Sequence, residues 1–592
     1  MPVEQTPRTR MDAPLPATPE PEPEPQPAPN GIHHATTSPY RTGRRAPEAI
    51  GVSPLLNALC TDMYQITMAY SFWFNNRHDD EASYDLFFRK NPFGGEYTVF
   101  CGLEECVRLV SNFGFTPEQI AYLRSVMPEC GDDFFDWLGK LDCSGVRVYA
   151  LQEGTVCFPR IPLLRVEGPL AICQMLETPL LNCVNYPTLV ATNAARLKVA
   201  AGEGKGLLET GLRRAQGPDG AVSGSRYAFI GGFDGTSNVQ AGMMFSILPK
   251  GAHAHSYVMS YSGLEELQVP DGRTISTRSG ETADIVAESL AWQGKLGSRC
   301  GLAPGHQGEL AAFCAYARAN PTSFLALVDS YDTLKSGLVN FLAVSLALHA
   351  AGYAPVGIAL DSGDLAYQSK EARRIFRQVA DAFEIPSLRE LRIVASNGIS
   401  VNTLESLRQQ NHEIDIFCIG TNLVTCEGQP ALGAVYKLCE IEGKPRIKIS
   451  MDVVKMTVPG RKSAYRLYNR ANEPAIDLLC QVGQAPRVGE QTLCKHPFDD
   501  VKRCYITPSK VVPLHTMVWG PENEDSGKPS SIRIDFPTIE EIRQHAMRDL
   551  QTMRPDHRRI LNPTPYKVSV TNELHLHLHE LWQGHVPISD LS

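Results

Sequence analysis

Three consecutive units of strand, loop and helix between Ser323 and Val424 constrain the fold of this chain more than any other feature. The apolar strands of these units end in polar residues at 325–330, 357–364, 392–398 and 415–421. Amphipathic patterns predict the intervening helices at Leu338–Ala351, Lys370–Phe383 and Val401–Gln409. Buried apolar strands that alternate with helices are typical of a parallel sheet or an α/β barrel.

The polar residues at these strand ends predict one ligand site. Ligands of parallel α/β folds bind at the carboxyl ends of the strands. Four aspartates follow the first two strands, and their carboxylates are suited to sugar hydroxyls or a metal ion: Asp329, Asp332, Asp361 and Asp364. After the last strand, Gly420 and Thr421 are suited to present backbone N–H groups to a phosphate.

Composition excludes several classes of protein. The chain has 592 residues, a formal net charge of −9 and a pI of about 6.0, which argue against a general nucleic-acid or membrane-surface binder. Its 16 cysteines are scattered without a CxxC pair, so we expect reduced thiols in the cytoplasm and no cysteine zinc site. Ser336–Leu360 lacks charged residues, but Gly352–Pro355 interrupts it, which favours a buried helix and a strand over a membrane span.

The chain divides into four predicted regions. Residues 1–50 are a Pro/Glu-rich tail that cannot bury an apolar core, so we expect it to be disordered. Residues 51–170 form an N-terminal α+β domain, and residues 171–435 form the α/β barrel with the active site. Residues 436–592 are β-rich and helical and are expected to pack on the N-terminal domain.

Local patterns predict further elements outside the repeated units. The predicted helices are Leu55–Asn75, Leu103–Phe113, Pro117–Met127, Ile172–Ala200, Ile539–Met553 and Asn572–Trp582. The predicted strands are Tyr84–Arg89, short strands within Val146–Gly168, Lys437–Ile441, Pro445–Ile449, Tyr465–Tyr468 and Asp477–Gln481.

Two motifs before the repeated units are compatible with anion binding. Arg213 and Arg214 follow a glycine and can make bidentate contacts with a phosphate or carboxylate, although solvated surface arginines are an equal alternative. The glycine-rich turn 231–239 leads into a predicted helix that begins at Ser237 and Asn238. Such a turn is an anion-binding arrangement and also an ordinary helix N-cap.

Two further motifs contain histidine or tyrosine. His253 and His255 precede a predicted apolar strand, and either one is suited to act as a metal ligand, an acid or base, a phosphoryl acceptor or a structural residue. Tyr64 lies on the first predicted helix, where it packs in the core or covers an aromatic ligand.

Taken together, the motifs resemble those of the nicotinate phosphoribosyltransferase family across nearly all of Pro54–Asp590. The matching segments are Leu59–Tyr70, Phe87–Tyr97, Gly211–Gly220, Gly231–Val239, Ala254–Ser256, Val328–Thr333, Leu360–Leu365, Ser396–Ile399 and Gly420–Thr425. The resemblance implies an irregular α/β barrel of the type II phosphoribosyltransferases, with a split β-rich domain and a helical C-terminal extension.

The resemblance also implies an activity. Nicotinate and phosphoribosyl pyrophosphate would give nicotinate mononucleotide and pyrophosphate, the first step of NAD biosynthesis from nicotinate. ATP hydrolysis would be coupled through a phosphohistidine, so that the enzyme is both a glycosyltransferase and a ligase. Mg²⁺ would accompany the pyrophosphate, and the enzyme would be a homodimer with the active site at the subunit interface.

Site roles are transferred from the family by motif. His255 would be the phosphorylated histidine, and Asp361 would act with it in catalysis. The residues implied to bind nicotinate are Tyr64, Asp62, Arg213, Ser237 and the positions of Ala252 and Ala359. The residues implied to bind the phosphoribosyl group are Thr421, Gly420, Asn397, Gly398 and Asp329. Asp361 and Asp364 would bind Mg²⁺.

Three positions bear on substrate choice. A neutral Ser237 favours the acid nicotinate, because the carboxylate that the related nicotinamide enzyme has in this turn would repel it. Ala252 and Ala359 stand where the family usually has Thr and Arg, which predicts weaker nicotinate binding.

The alternative functions are therefore a weakened or catalytically silent homologue that binds the ligands, or a relative that uses nicotinamide or quinolinate. An unrelated barrel hydrolase is not supported, because no separate carboxylate pair or nucleophile motif is present.

Overall fold

The computed structural model describes residues 53–267, 274–450, 452, 455–522 and 529–585. The predicted tail at residues 1–50 lies outside the described residues. The helices are Met63–Phe74, Leu103–Ser111, Pro117–Val126, Asp132–Leu138, Leu170–Met175, Glu177–Ala201, Gly217–Ile230, Val239–Phe245, His255–Met259, Ile285–Cys300, Gln307–Ala319, Leu338–Ala350, Leu365–Ala382, Val401–Gln409, Thr421–Thr425, Ile539–Thr552 and Asn572–His585.

A six-stranded parallel sheet contains all the strands of the repeated units. Its strands, in spatial order, are Leu325–Leu327, Gly357–Leu360, Arg392–Ala395, Ile416–Ile419, Gly206–Glu209 and Gly235–Thr236. Every neighbouring pair is parallel. Leu327 pairs with Ala359 and Ala359 pairs with Val394, so the first three strands end at one edge. The predicted parallel βα arrangement is confirmed.

The strand order of this sheet is open, and the described residues show no pairing that joins its first strand to its last. The two outer strands, Leu325–Leu327 and Gly235–Thr236, are only three and two residues long and offer few backbone groups for closure. The mixed α/β fold is therefore observed, and the closed barrel stays a prediction.

The helix Leu338–Ala350 forms part of the core beside the parallel sheet. Its residues from Leu338 to Leu348 are all buried, and it packs against Ile285–Cys300 and Gln307–Ala319. By length and composition Thr333–Ala350 is apolar enough to cross a membrane, but 72% of this stretch is buried inside the protein. The predicted sequence of a buried helix and then the strand Gly357–Leu360 is confirmed.

A seven-stranded antiparallel sheet combines strands from both ends of the chain. Its strands, in spatial order, are Lys444–Pro445, Ala434–Ile441, Glu81–Phe88, Leu164–Pro169, Arg147–Ala150, Thr516–Gly520 and Ser531–Ile532. Burial of almost all of Glu81–Phe88 shows that this sheet has a core on both faces. The predicted domain boundaries at residues 170 and 435 stay predictions.

A second six-stranded sheet belongs to the C-terminal part of the chain. Its strands, in spatial order, are Asp499–Ile506, Thr492–His496, Lys567–Thr571, Pro474–Gln481, Lys462–Tyr468 and Lys510–Pro513. Two further antiparallel pairs are Thr98–Val99 with Val156–Cys157, and Thr274–Ser276 with Thr282–Asp284.

Several predicted boundaries are wrong for identifiable reasons. The first helix begins at Met63 rather than Leu55, because the Asn57 side chain accepts a hydrogen bond from the Leu59 backbone and holds a turn there. The predicted helix Ile172–Ala200 breaks at Leu176, since Pro179 has no N–H to continue the helical ladder.

The C-terminal half shows one further boundary error. The predicted strand Pro445–Ile449 is paired only at Lys444–Pro445, because the Lys448 N–H donates instead to the Thr457 hydroxyl at 3.1 Å. The other predicted elements agree with the structure to within a few residues at their ends, except that Lys370–Phe383 begins earlier, at Leu365.

Candidate active site

Asp329 and His255 form the first part of the candidate site. Asp329 lies two residues beyond the strand Leu325–Leu327, and its carboxylate is only 3% exposed. The carboxylate oxygen Oδ1 lies 2.9 Å from Nε2 of His255, and Oδ2 accepts a hydrogen bond from the Ser362 hydroxyl at 2.5 Å. The imidazole is 37% exposed, so the buried carboxylate orients a ring that solvent and ligands can reach.

His255 is the first residue of the short helix His255–Met259, so the predicted apolar strand after the two histidines is wrong. The local sequence His-Ser-Tyr-Val-Met makes one helical turn because Tyr257 N–H bonds to the carbonyl of Ala254. This turn orients the imidazole of His255 toward Asp329.

His253 occupies a different environment from His255. Its Nε2 accepts a hydrogen bond from the Leu327 N–H at 3.4 Å, and its ring packs edge-on against Tyr316. Burial lowers the pKa of His253 to about 4, so this imidazole is neutral. These contacts agree with the structural alternative for His253 and give no support to a metal pair with His255.

Asp361 and Ser396 form the second part of the site. They directly follow the neighbouring strands Gly357–Leu360 and Arg392–Ala395. The Ser396 hydroxyl donates to Oδ1 of Asp361 at 2.5 Å, and the Asn397 amide donates to the Asp361 carbonyl at 3.1 Å. The structure thus brings Asp361 and Asn397 together as predicted from strand order.

The turn after Ser396 has an unusual backbone. Asn397 and Gly398 have φ values of 70° and 65°, both in the left-handed region. A Cβ atom on Gly398 would meet nothing within 4 Å, so backbone conformation rather than space explains the glycine.

Two of the four predicted aspartates cap helices. Asp364 accepts a hydrogen bond from the Tyr367 N–H at 2.9 Å at the start of Leu365–Ala382. Asp332 caps the five-residue helical turn Thr333–Gly337 and accepts from the N–H groups of Leu334 and Lys335 at 3.1 and 2.8 Å. Both are exposed residues, and each cap uses Oδ1 of its carboxylate.

The Gly420–Thr421 turn lies beside the arginine motif. Ile416–Ile419 pairs with Gly206–Glu209, and the Thr210 N–H bonds to the Ile419 carbonyl at 3.0 Å. A Cβ on Gly420 would lie 3.0 Å from the Thr210 carbonyl oxygen, so a side chain there would press the two loops apart. Gly420 precedes the five-residue helix Thr421–Thr425, and Thr421 is exposed at its start.

Glu209 is a residue that sequence reasoning missed. It is 1% exposed and accepts hydrogen bonds from the Ser225 hydroxyl at 2.7 Å, the Thr236 hydroxyl at 2.5 Å and the Gly211 N–H. It therefore ties the strand that ends at Thr236 to the turn containing Arg213. The available signal was an acidic residue just before the motif Gly211–Gly220.

Arg213 and Ser237 lie on the two elements that Glu209 connects. Arg213 is exposed on the single turn Leu212–Arg214. Ser237 is half-buried, and its N–H bonds to the carbonyl of Glu209 at 2.8 Å. The predicted helix after the glycine-rich turn is Val239–Phe245, and Asn238 caps it by accepting from the Ala241 N–H.

Tyr64 and Asp62 lie on the helix Met63–Phe74, which packs on Leu170–Met175. The Tyr64 side chain is 48% exposed. Asp62 occupies the N-cap position, and its carboxylate accepts a hydrogen bond from Thr178 at 2.9 Å. None of the described hydrogen bonds, ion pairs or ring contacts joins these two residues to the strand-end group.

The two alanines lie close to the candidate site. Ala359 is half-buried inside the strand Gly357–Leu360, and its carbonyl accepts from the Val328 N–H at 3.2 Å. Ala252 is exposed in the loop that leads to His255. Neither side chain can donate a hydrogen bond to a ligand.

A buried polar network lies next to the predicted aspartates. Glu309 is fully buried and accepts from the Ser336 hydroxyl at 2.5 Å and the Asn340 amide at 3.0 Å. Burial raises the pKa of the Glu309 carboxyl to about 7, and the charges of Asp329 and Asp332 act in the same direction.

Comparison with known proteins agrees with this geometry. Family models described as the nicotinate phosphoribosyltransferase (NAPRTase) N-terminal domain and C-terminal domain match residues 59–185 and 461–578. The chain is 49% identical to nicotinate phosphoribosyltransferase of Dictyostelium discoideum over 548 residues, which cover 91% of this chain and 90% of that protein. It is 42% identical to the Homo sapiens nicotinate phosphoribosyltransferase over 534 residues, 89% of this chain and 97% of that protein.

The fold also matches solved structures of related enzymes. The crystal structure of human nicotinic acid phosphoribosyltransferase matches with a TM-score of 0.78 at 40% identity, covering 88% of this chain and 99% of that chain. Nicotinate-nucleotide pyrophosphorylase from Pyrococcus furiosus matches with a TM-score of 0.53 at 20% identity, which shows similarity of fold alone.

The fold and the site define an α/β protein whose polar groups collect at the carboxyl ends of a parallel sheet. With the similarity over nearly the full length of its relatives, the chain belongs to the nicotinate phosphoribosyltransferase family.

Proposed function

We propose that this protein transfers the phosphoribosyl group of phosphoribosyl pyrophosphate to nicotinate, the first step of NAD biosynthesis from nicotinate. The ring nitrogen of nicotinate attacks C1′ of the ribose while the bond from C1′ to the pyrophosphate oxygen breaks. The products are nicotinate mononucleotide and pyrophosphate. Beyond family membership, the main support is the position of Asp329, Asp361 and Ser396 at the ends of three adjacent strands.

The aspartates are suited to the charge that develops on the ribose. As the bond to pyrophosphate breaks, the ring acquires oxocarbenium character, and nearby carboxylates stabilise that positive charge. Asp329 and Asp361 are each held by a serine hydroxyl, so neither needs to reorganise during the reaction. Gly420, Thr421, Asn397 and Gly398 form the turns that we assign to the phosphate of the phosphoribosyl group.

Nicotinate recognition is assigned to the loops beside Glu209. Arg213 would pair with the nicotinate carboxylate, and the neutral Ser237 would accept the acid without repulsion. Tyr64 would stack on the pyridine ring, with Asp62 beside it. Since Tyr64 is exposed on its own chain, we propose that it reaches the site of a second copy in a homodimer.

His255 is proposed to receive the terminal phosphoryl group of ATP. The bond between the β-phosphate bridging oxygen and the γ-phosphorus breaks, a bond from phosphorus to an imidazole nitrogen forms, and ADP leaves. Because Asp329 lies against Nε2, the proton is held on that nitrogen and Nδ1 keeps the reactive lone pair. Water later hydrolyses the phosphohistidine, and this hydrolysis is coupled to the transfer.

Mg²⁺ fits the acidic residues near the strand ends. Asp361 and Asp364 offer carboxylate oxygens, the ligand type that Mg²⁺ prefers. Each carboxylate has one oxygen in a protein hydrogen bond, Asp361 with Ser396 and Asp364 with Tyr367, and the second oxygen is left for the ion. When bound there, Mg²⁺ would supply positive charge that neutralises the departing pyrophosphate.

A cytoplasmic location is proposed from the cysteines. All 16 are free thiols, and most are buried inside the protein. Free thiols persist where glutathione and thioredoxin keep them reduced.

The test compares nicotinate with nicotinamide as the substrate and measures the effect of ATP on mononucleotide formation. The purified protein is incubated with phosphoribosyl pyrophosphate, Mg²⁺ and either nicotinate or nicotinamide, with and without ATP, and mononucleotides are measured by mass spectrometry. Nicotinate mononucleotide that forms faster with ATP is the expected result. A large preference for nicotinamide in kcat/KM would refute the assignment of Ser237.

A second candidate function follows from Ala252 and Ala359, which lack the donors usual at these positions. In a catalytically silent homologue the assay would give no product from either base, although phosphoribosyl pyrophosphate would still bind. Calorimetry with phosphoribosyl pyrophosphate alone distinguishes this outcome from a protein that has lost its fold.

A further inference from the structure

The C-terminal helix Asn572–His585 has three histidines at alternate positions, His575, His577 and His579. Residues four apart on a helix lie on the same face, whereas the residue between them points elsewhere. The rings of His575 and His579 accordingly stack, with centroids 4.2 Å apart and ring planes 27° apart. They form a pair of imidazoles on one side of the helix.

A carboxylate from a distant part of the sequence joins this pair. Asp500 lies on the strand Asp499–Ile506 of the C-terminal sheet, and its Oδ1 is 3.1 Å from Nε2 of His575. One potential ligand atom from each of Asp500, His575 and His579 lies within 4.8 Å of the others. The three groups therefore converge on one point at the edge of the sheet.

One imidazole of this cluster is buried and the other is half-buried, and both have ring nitrogens without a hydrogen bond of good geometry. His575 is 4% exposed, and neither of its ring nitrogens makes a hydrogen bond of good geometry within the described part of the chain. Nε2 of His579 also makes no hydrogen bond of good geometry within the described residues. A buried polar nitrogen without a partner costs free energy, and a bound ion would satisfy these groups.

We propose that Asp500, His575 and His579 form a binding site for a divalent transition metal ion of the zinc type. Two imidazole nitrogens and one carboxylate oxygen are a ligand set that zinc accepts, with water as the fourth ligand. Zinc–nitrogen bonds of about 2.1 Å separate tetrahedral ligands by about 3.4 Å, so small side-chain rotations would complete the site. The ion would link the C-terminal helix to the strand that contains Asp500, and this role is independent of the proposed catalytic chemistry.

Zinc titration of the full-length protein tests the site directly. After treatment with a chelator, the protein is titrated with ZnCl₂ in a calorimeter. One equivalent should bind, and the His579→Ala variant should bind at least about tenfold more weakly, because loss of even an indirect supporting contact costs that much. His577→Ala is the matched control, since it removes the same group from the same helix but not from the cluster; it should bind zinc like the parent.

Two further measurements, thermal unfolding and cobalt(II) spectra, test where the metal ion binds. Asp500 is exposed, so Asp500→Asn should fold normally, and zinc should raise the Tm of the parent and of His577→Ala but not of Asp500→Asn. Cobalt(II) in place of zinc should give visible bands without a thiolate charge-transfer band, which excludes binding by the exposed Cys60. The proposal is overturned if no equivalent binds, if a thiolate band appears, or if His577→Ala loses as much affinity as His579→Ala.

Discussion

The C-terminal sheet and the parallel sheet use charged side chains differently. In the C-terminal sheet, Arg466 and Asp477 are 2% and 0% exposed and form a two-point ion pair at 2.9 and 3.0 Å. Asp549 lies 3.2 Å from the same guanidinium, and the Val156 carbonyl accepts from it at 2.6 Å. Every group of this cluster is directed toward another group of the protein.

At the ends of the parallel sheet, the buried carboxylate of Asp329 is paired with a group that remains accessible. Its partner His255 is 37% exposed, and Ser362 is exposed. Each charge of a fully buried ion pair depends on its partner, since removal of one partner leaves an uncompensated buried charge. A buried charge that orients an accessible group is suited instead to act on a ligand. The accessibility of the partner, rather than the presence of charge, therefore distinguishes the candidate functional cluster from the structural one.

The largest expected effect is on stability. Arg466→Ala leaves Asp477 buried without its counter-charge, so we expect a loss of about 3–5 kcal/mol in the free energy of unfolding. The control is Arg461→Ala, whose side chain is 46% exposed and pairs with Glu440; it should change stability by less than about 1 kcal/mol. Urea unfolding measures both, and equal losses would contradict the comparison.

The next effect is on catalysis. Asp329→Asn removes the charge that orients His255, so we expect the ATP-stimulated rate to fall by about 10²–10³-fold while the protein stays folded. Asp332→Asn is the matched control, because asparagine caps a helix as well as aspartate does. Initial rates with nicotinate would reveal the difference, and similar rates for the two variants would count against a functional role for Asp329.

A third prediction concerns pH. The pKa of Glu309 in the folded protein, about 7, lies above its ordinary value of 4.5, so the folded state binds more protons between these values. Protonated Glu309 stabilises the folded state below about pH 4.5, and this stabilisation is lost as the pH rises through 7. The free energy of unfolding should therefore fall by about 1–3 kcal/mol over this range. Glu309→Gln should abolish this loss in urea unfolding between pH 5 and 8. The exposed Glu390→Gln should retain the parent's pH dependence; identical curves for all three proteins would refute the assignment.

The smallest expected effect is a lower KM for nicotinate. Ala359→Arg introduces the charge that the resemblance to the family implies for this strand position, and a charge-assisted hydrogen bond to nicotinate should lower its KM by about tenfold. Steady-state kinetics with varied nicotinate measure this change, and the KM for phosphoribosyl pyrophosphate provides the internal control. An unchanged KM for nicotinate would mean that another group already binds its carboxylate.

The sequence predicted the parallel sheet and the proximity of Asp329, Asp361 and Asn397, because the ends of adjacent parallel strands must lie together. It could not separate these residues from Asp332 and Asp364, since an aspartate after a strand suits a helix cap as well as a ligand.

Other features were missed because they depend on long-range contacts. The function of Glu209 as the link between two loops depends on Ser225 and Thr236, which only the folded chain brings to it. The cluster of Asp500 with His575 and His579 arises because the C-terminal helix packs against the sheet, which no local pattern indicates. The strands between 492 and 513 lack a clear apolar alternation, and so periodicity alone did not predict them.

The most direct test of the account is to locate the phosphoryl group. The protein is incubated with ATP labelled in its γ-phosphate, and the label is mapped by mass spectrometry under conditions that preserve acid-labile phosphohistidine. The account predicts a label on His255, absent from His255→Asn, and an ATP-stimulated rate that is lost in that variant. A label on another residue, or ATP stimulation that survives in His255→Asn, would contradict the assignment of the His255–Asp329 pair as the coupling centre of the site.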